Sequence, residues 1–285
     1  MLSLVLALAA SAAWGSGDFL GGRASRGIGA LGVATFSKVA GATGLAIAVL
    51  VAGDVPSTEE AGWAIGAGLF GAVGLTELYR ALALGPMSLV APLTACGGAV
   101  PVFVALASGE VPGPLTGAGL AVAFAGALIV SRPPAESDAS AIPGMKRSAL
   151  LHSLIAALAL GGGLTLLQQA AQAPGDATLG LSLAAAVTTA GVLVAISGTR
   201  GALTPPPRAF LPAVIGCGLL DVTANVLFAQ ATAEGQAATV AVLGSLYPLA
   251  TVFLARAWLG ERLSAFQGAG VLAAMAGVAA IAAGV

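Results

Sequence analysis

The sequence is short of charge. Of its 285 residues, 8% are Asp, Glu, Lys or Arg and 58% are hydrophobic, where an average soluble domain carries about 25% charged residues. So few charges cannot cover the surface of a water-soluble chain of this length, and a soluble globular protein is excluded. The net charge of −1 offers no basic surface, so nucleic acid is not an expected partner. Histidine occurs once and cysteine twice, with no CxxC and no His-rich run, which leaves neither a disulfide framework nor a metal motif. No metal and no cofactor are expected. A GxxxxGK[ST] phosphate loop is missing, so the chain shows no ATP-driven engine of its own. Aromatic residues make up 5%, too few for a bulky aromatic cage. The intramembrane-enzyme class would need a nucleophile–base pair or a metal cluster within the spans, and the sole histidine, His152, stands near a helix end.

What is present is a series of apolar segments near 20 residues long, about the length that crosses a bilayer as a helix. The pattern predicts ten helices, over residues 2–20, 28–52, 61–84, 87–108, 115–130, 149–171, 177–197, 209–231, 237–258 and 265–284. Pro92 and Pro101 should kink the fourth. Gly62 and Gly66 form a GxxxG face suited to close helix contact in the third. Gly161-Gly162-Gly163 marks a flexible or close-packing point in the sixth. Cys96 and Cys217 both lie in apolar segments and read as small core residues. Ala10-Ser11-Ala12 has the look of a cleavage site, but nothing basic precedes the first apolar run, so a retained first helix is expected.

The chain also repeats itself. Shifted by 150 residues, Ala81, Ala83, Gly85, Val90, Ala91, Leu93, Val102, Phe103 and Ala105 fall on Ala231, Ala233, Gly235, Val240, Ala241, Leu243, Val252, Phe253 and Ala255. One further residue of offset sets Glu110 on Glu261 and Gly117-Ala118-Gly119 on Gly268-Ala269-Gly270. A duplicated unit follows: a first five-helix repeat over 1–131, a polar, proline-bearing linker over 132–148, and a second repeat over 149–285. Five is odd, so the two repeats lie opposite ways up, and in such inverted folds binding sites sit near the midplane between the halves. The expected fold is therefore an all-α integral membrane protein of ten transmembrane helices, as two five-helix inverted repeats around a central cavity. Since the duplication itself supplies the inverted pair, a monomer is the simplest state.

Charges inside spans are costly and are functional candidates by default. Measured from the basic face at 1.5 Å per residue, Lys38 is roughly 15 Å deep, Glu77 roughly 11 Å and Asp221 roughly 18 Å. Lys38 is expected to pair with Glu77, or with Asp18, across the first three helices. Asp221, with Asn225 four residues on, then has no basic partner in its own half and could exchange protons with either side, as proton coupling requires; Glu77 is the rival for that role. The bland alternative is a closed network of Lys38, Glu77 and Arg80 that only fixes packing. Gln168, Gln169 and Tyr247 offer hydrogen bonds to a small polar ligand. Trp14, four residues before Asp18 and on its face, is either a ligand-stacking residue or an interfacial anchor. The expected substrate-binding set is thus Trp14, Lys38, Glu77, Gln168, Asp221, Asn225 and Tyr247. His152, alone at a membrane edge, reads as polar decoration. All ten basic residues other than Lys38 fall in or near the loops on one side, while Asp54, Glu59, Glu60, Glu110, Asp176 and Glu234 mark the other. The positive-inside rule places the basic side in the cytoplasm and both termini outside.

In its Trp14-Gly15, its Pro248 followed twelve residues on by Gly260-Glu261, the partial echo Gly109-Glu110 and its glycine-rich fifth and tenth helices, the chain resembles the EamA type of the drug/metabolite transporter superfamily over essentially its whole length. That resemblance implies a bacterial plasma-membrane carrier, often an exporter of amino acids, metabolites or drugs, with a central cavity between the halves. Many members carry a basic residue near the middle of the second helix, and Lys38 is its counterpart. The chain departs from the pattern at Gly98, where the second repeat has Pro248, and in its loop charges, which reverse the cytoplasmic termini common in the family. The expectation is a secondary carrier moving a small organic solute, an amino acid or related metabolite, outward by alternating access. Uptake is the alternative within that class, and a non-transporting scaffold or receptor the alternative outside it.

Overall fold

A computed structural model describes residues 1–85, 87–109, 111–130 and 147–259, with scattered positions between 266 and 280. The linker, Glu110, Gly260-Glu261 and most of the expected tenth helix lie outside the described residues. Those described are helical, without strands. The order is α1 (Leu2–Ile28), α2 (Ala30–Ala52), α3 (Thr58–Leu84), α4 (Met87–Ala95), α5 (Ala99–Ala107), α6 (Pro114–Val130), α7 (Arg147–Gln172), α8 (Thr178–Thr199), α9 (Leu211–Ala233), α10 (Ala237–Gly244) and α11 (Tyr247–Leu259). Among them seven segments are long and apolar enough to cross a membrane, α10 and α11 counting as one, while Leu93–Ala107 and Pro114–Gly126 are shorter apolar helices. Leu50, Phe103, Leu158 and Phe253 stand exposed on the outer surface, where a bilayer rather than water would cover them.

Several boundaries differ from the sequence expectation, each for a local reason. α1 does not end near Leu20 but continues to Ile28. At 27 residues it is roughly 40 Å long, enough to carry Arg23 and Arg26 past the hydrocarbon. There Arg26 donates from Nε to the Leu82 carbonyl and from Nη2 to the Gly85 carbonyl, both at 3.4 Å, so a cation meets the free carbonyls at the end of α3. The connection to α2 is the single residue Gly29, at φ +83°, a backbone region that costs glycine little. α3 starts three residues early because Ser57 and Glu60 form a reciprocal capping box. Glu60 is therefore not a loop acid: it is buried, accepts the Ser57 N–H at 2.7 Å and reaches the Ala177 N–H at 3.3 Å. Asp54 accepts the Leu179 N–H at 2.8 Å. The acidic turn after α2 thus caps two helices, the second of them α8.

The fourth expected span breaks at a short 3-10 turn over Cys96–Gly98, between α4 and α5, rather than at its prolines. Pro101 falls in the first turn of α5, where a missing N–H goes unmissed, and Pro248 does the same in α11 after the interruption at Ser245-Leu246. The GxxxG face is half used: a Cβ on Gly66 would stand 3.1 Å from Leu166 of α7. Nothing stands within 4 Å of the place a Gly62 Cβ would take, whereas a Cβ on Gly68 would fall against the Ala185 carbonyl oxygen and Thr188, and one on Gly74 against Leu160. The close helix contact of α3 is made one turn further on.

Most helix packing runs between the two halves of the chain. α1 lies on α9 and α3 on α7; α2 lies on α9 and α3 on α8; α1 lies on α10 and α11, and α7 on α4 and α5; α4 meets α11, and α5 meets α10. Each contact returns with the halves exchanged. Backbone approaches follow the same exchange. A Cβ on Gly15 of α1 would strike the Tyr247 carbonyl oxygen at the α10–α11 break, and one on Gly161 of α7 would strike that of Gly97 at the α4–α5 break. Likewise Gly218 of α9 sits against the Ser37 carbonyl, as Gly68 of α3 sits against that of Ala185.

Candidate functional site

Where the two breaks face one another, α1, α2, α3, α7, α8 and α9 line a cavity that opens to solvent. Its walls are unlike. From α1, α2 and α9 come Trp14, Asp18, Lys38, Asp221 and Asn225; from α3, α7 and α8 come Gly71, Leu75, Leu78, Leu160, Leu164, Leu167, Ala186 and Thr189, the last with its hydroxyl turned to the Gly68 and Ala185 carbonyls. Thr94, Gly97, Gly98, Ser245 and Tyr247 of the broken helices join them.

Lys38 pairs with Asp221. This corrects the expectation that Lys38 would pair with Glu77 or Asp18 and that Asp221 would stand without a basic partner. The physical reason is the packing of α2 on α9, with Gly41 and Gly218 letting the two backbones close up and bringing an acid and a base 183 residues apart to one level. Their side chains are 8% and 18% exposed, a depth at which an ammonium or carboxylate without a partner is strongly disfavoured. The Asn225 side chain donates to the Asp221 backbone carbonyl at 2.8 Å and reaches its carboxylate at 3.4 Å, which holds Asp221 from behind.

Asp18 is 8% exposed and lines the same cavity as Asp221. Among the described residues no hydrogen bond or ion pair reaches it. Trp14, one turn earlier, packs on Phe228 with ring centroids 5.2 Å apart and also lines the cavity. Tyr247 bridges to the other half: its hydroxyl is 2.8 Å from Thr94 Oγ1 and donates to the Ala91 carbonyl at 3.3 Å.

Two residues of the expected set lie away from the cavity. Glu77 pairs with Arg80 on its own helix and with His152 of α7, so it ties α3 to α7 near the basic end. His152, which reads as decoration in the sequence, is the other half of that tie. Gln168 is buried and donates to the Ala237 carbonyl at 2.9 Å, joining α7 to the start of α10. Cys217 lies in the core, its sulfur 2.9 Å from the Tyr79 hydroxyl. Sequence reasoning gave Asp18 only as a partner for Lys38; its spacing from Trp14 was the signal that both face one space. Among the described residues no group of three or more His, Cys, Asp or Glu is placed to hold a metal.

Against known proteins, no curated protein matches the chain. A solved crystal structure superposes with a TM-score of 0.75 at 17% identity, covering 98% of this chain and 95% of that one; at that identity the likeness is one of fold. The model of the EamA-like transporter family matches residues 1–132 and 147–283. The chain is a multi-pass membrane protein that belongs to the EamA-like transporter family of the drug/metabolite transporter superfamily.

Proposed function

We propose that this chain is a secondary carrier that moves a small organic solute across the bacterial plasma membrane by alternating access, in the outward direction. One observation carries the proposal: a solvent-connected cavity lies between two halves whose contacts exchange with one another, and the buried Lys38–Asp221 pair bridges those halves inside it. Such an ion pair offers the carrier two states. With the pair closed, α2 and α9 are held together; with Asp221 protonated or its charge engaged by solute, Lys38 is released and the helices can part. Coupling to a proton is assigned on this ground to Asp221. Glu77 is assigned to the basic end, where its contact with His152 joins α3 to α7. The two five-helix halves are taken to be inverted, with the basic ends of the helices in the cytoplasm and both termini outside, and the protein to act as a monomer.

The test compares metabolites inside and outside cells that make the wild-type chain with those of cells making the Lys38→Ala/Asp221→Asn double variant at equal membrane levels. A solute enriched outside only with wild type supports efflux and gives its class. Enrichment inside reverses the direction to uptake. No difference in any of several media moves the protein to the scaffold class. In proteoliposomes, Asp221→Asn should abolish flux driven by a pH gradient while leaving the protein folded; unchanged flux removes Asp221 from coupling.

A further inference from the structure

The exchange of contacts between halves also pairs the residues of the two cavity walls. Gly15 and Gly161 meet the two helix breaks in the same way, so three residues further along their helices Asp18 corresponds to Leu164. Ser37 and Ala185 offer the same carbonyl to Gly218 and Gly68, so the next residues, Lys38 and Ala186, correspond. By the same step along α9 and α3, Asp221 corresponds to Gly71 and Asn225 to Leu75. All eight line the cavity. Of these eight, the charged and amide groups therefore stand on the α1, α2 and α9 wall, and the hydrocarbon or glycine positions on the α3, α7 and α8 wall.

The polar wall is not balanced. Lys38 is matched by Asp221, which leaves Asp18 facing the cavity, more than nine-tenths buried and supplied with no donor among the described residues. A carboxyl in that position is completed by a cation or a strong donor from the solute. An anionic solute meets the opposite situation. To reach Lys38 it must displace Asp221, and it would then leave Asp221 beside Asp18 with no cation between them. A zwitterion meets that obstacle at its carboxylate end. Trp14, one turn from Asp18 and fixed by Phe228, adds an indole on the same wall, a surface that attracts ammonium groups. Across the cavity the leucines at 75, 160 and 164 can bury only an apolar body.

Resting on the carrier reading for its physiological sense, we propose that the cavity takes an organic cation: a small amine whose ammonium binds at Asp18 and whose hydrocarbon body lies against Leu75, Leu160 and Leu164. The solute is oriented by the asymmetry, head towards α1 and α9, body towards α3 and α7.

The experiment uses the full-length protein in nanodiscs and four probes that share a phenyl body: phenethylamine, phenylalanine, 3-phenylpropionate and 2-phenylethanol. Calorimetric titration should place phenethylamine at least roughly tenfold tighter than the zwitterion and the anion. Asp18→Asn should weaken phenethylamine by roughly ten- to a hundredfold, the loss of a charge-assisted contact, and leave the neutral alcohol unchanged, which also shows that the variant is folded. Equal or tighter binding of phenylalanine or phenylpropionate, no binding of phenethylamine, or an Asp18→Asn variant that keeps its amine affinity overturns the proposal; the wild-type order alone suffices if the variant does not fold. Flux in proteoliposomes separates the two levels. An amine that is bound through Asp18 but not moved leaves the site standing and removes the carrier. A zwitterion that is moved while the amine is neither bound nor moved leaves the carrier standing and removes the cation site.

Discussion

Replacing Lys38 by Met keeps the length and bulk of the side chain and removes its charge. The structure makes the consequence unequal to that of the reciprocal change, Asp221→Asn. Removing Lys38 leaves Asp221 and Asp18 on one cavity wall whose described lining then holds no cation. Removing the Asp221 charge leaves Lys38 with Asp18 still on that wall. Breaking a buried pair from one side costs about 3–5 kcal/mol in soluble proteins, whereas side-chain hydrogen bonds between membrane helices are worth less, to a maximum of about 1.7 kcal/mol; a stripped charge lies at the lower end of the first range. With Lys38 8% and Asp221 18% exposed, Lys38→Met should cost about 3 kcal/mol and Asp221→Asn about 1 kcal/mol, allowing for the second acid. The double variant has no unmatched charge of its own making and should lie within about 1 kcal/mol of wild type. Reversible unfolding in mixed micelles, followed by far-ultraviolet circular dichroism, measures all three. Additive losses would show that Lys38 and Asp221 are neighbours without being an energetic pair. Equal single losses would show that Asp18 gives Lys38 no second place to go.

Three further outcomes follow from contacts outside the cavity. Gly218→Ala sets a methyl on the Ser37 carbonyl oxygen and should cost about 2–3 kcal/mol, while Gly62→Ala, with nothing within 4 Å, should be neutral or stabilising by up to about 1 kcal/mol; unfolding midpoints of the two decide it. Glu60→Gln keeps one acceptor where the carboxylate serves both Ser57 and Ala177, so about 1–2 kcal/mol should be lost and amide exchange should rise at residues 177–180. His152→Ala cuts the only side-chain ion pair between α3 and α7 among the described residues; exchange should quicken in the last turns of α3 and stay unchanged in α8.

The broad organisation was legible because it rests on amounts. Apolar runs of bilayer length need no partner to be seen, and the helices that the structure describes fall within a few residues of those runs at most ends. The exceptions are places where a single polar group decides. α1 runs eight residues on because Arg26 finds the end of α3, and α3 begins early because Ser57 and Glu60 cap each other. The pairing of charges was the least legible part. Chain order favours near neighbours, which points Lys38 to Asp18 or Glu77, whereas packing of α2 on α9 joins it to Asp221. Depth was the better guide: Lys38 and Asp221 differ by roughly 3 Å from the basic face, less than Lys38 and Glu77. For Glu77 the sequence holds no sign that the lone histidine of the next half would meet it.

The pairing of Lys38 with a residue 183 positions later sets a problem of timing during synthesis. α1 and α2 enter the membrane carrying Asp18 and Lys38 long before α9 exists, and the main partners of α1 and α3, α9 and α7, also belong to the second half. At about 5–20 residues per second, the ribosome takes roughly 10–40 s to supply Asp221 after Lys38. Through that interval the helices of the first half must be sheltered, by the insertion machinery or by transient pairing of Lys38 with Asp18, and only the arrival of α9 lets the charges settle. A chain stalled before Asp221 should therefore be a substrate for membrane quality control, however complete its first half is.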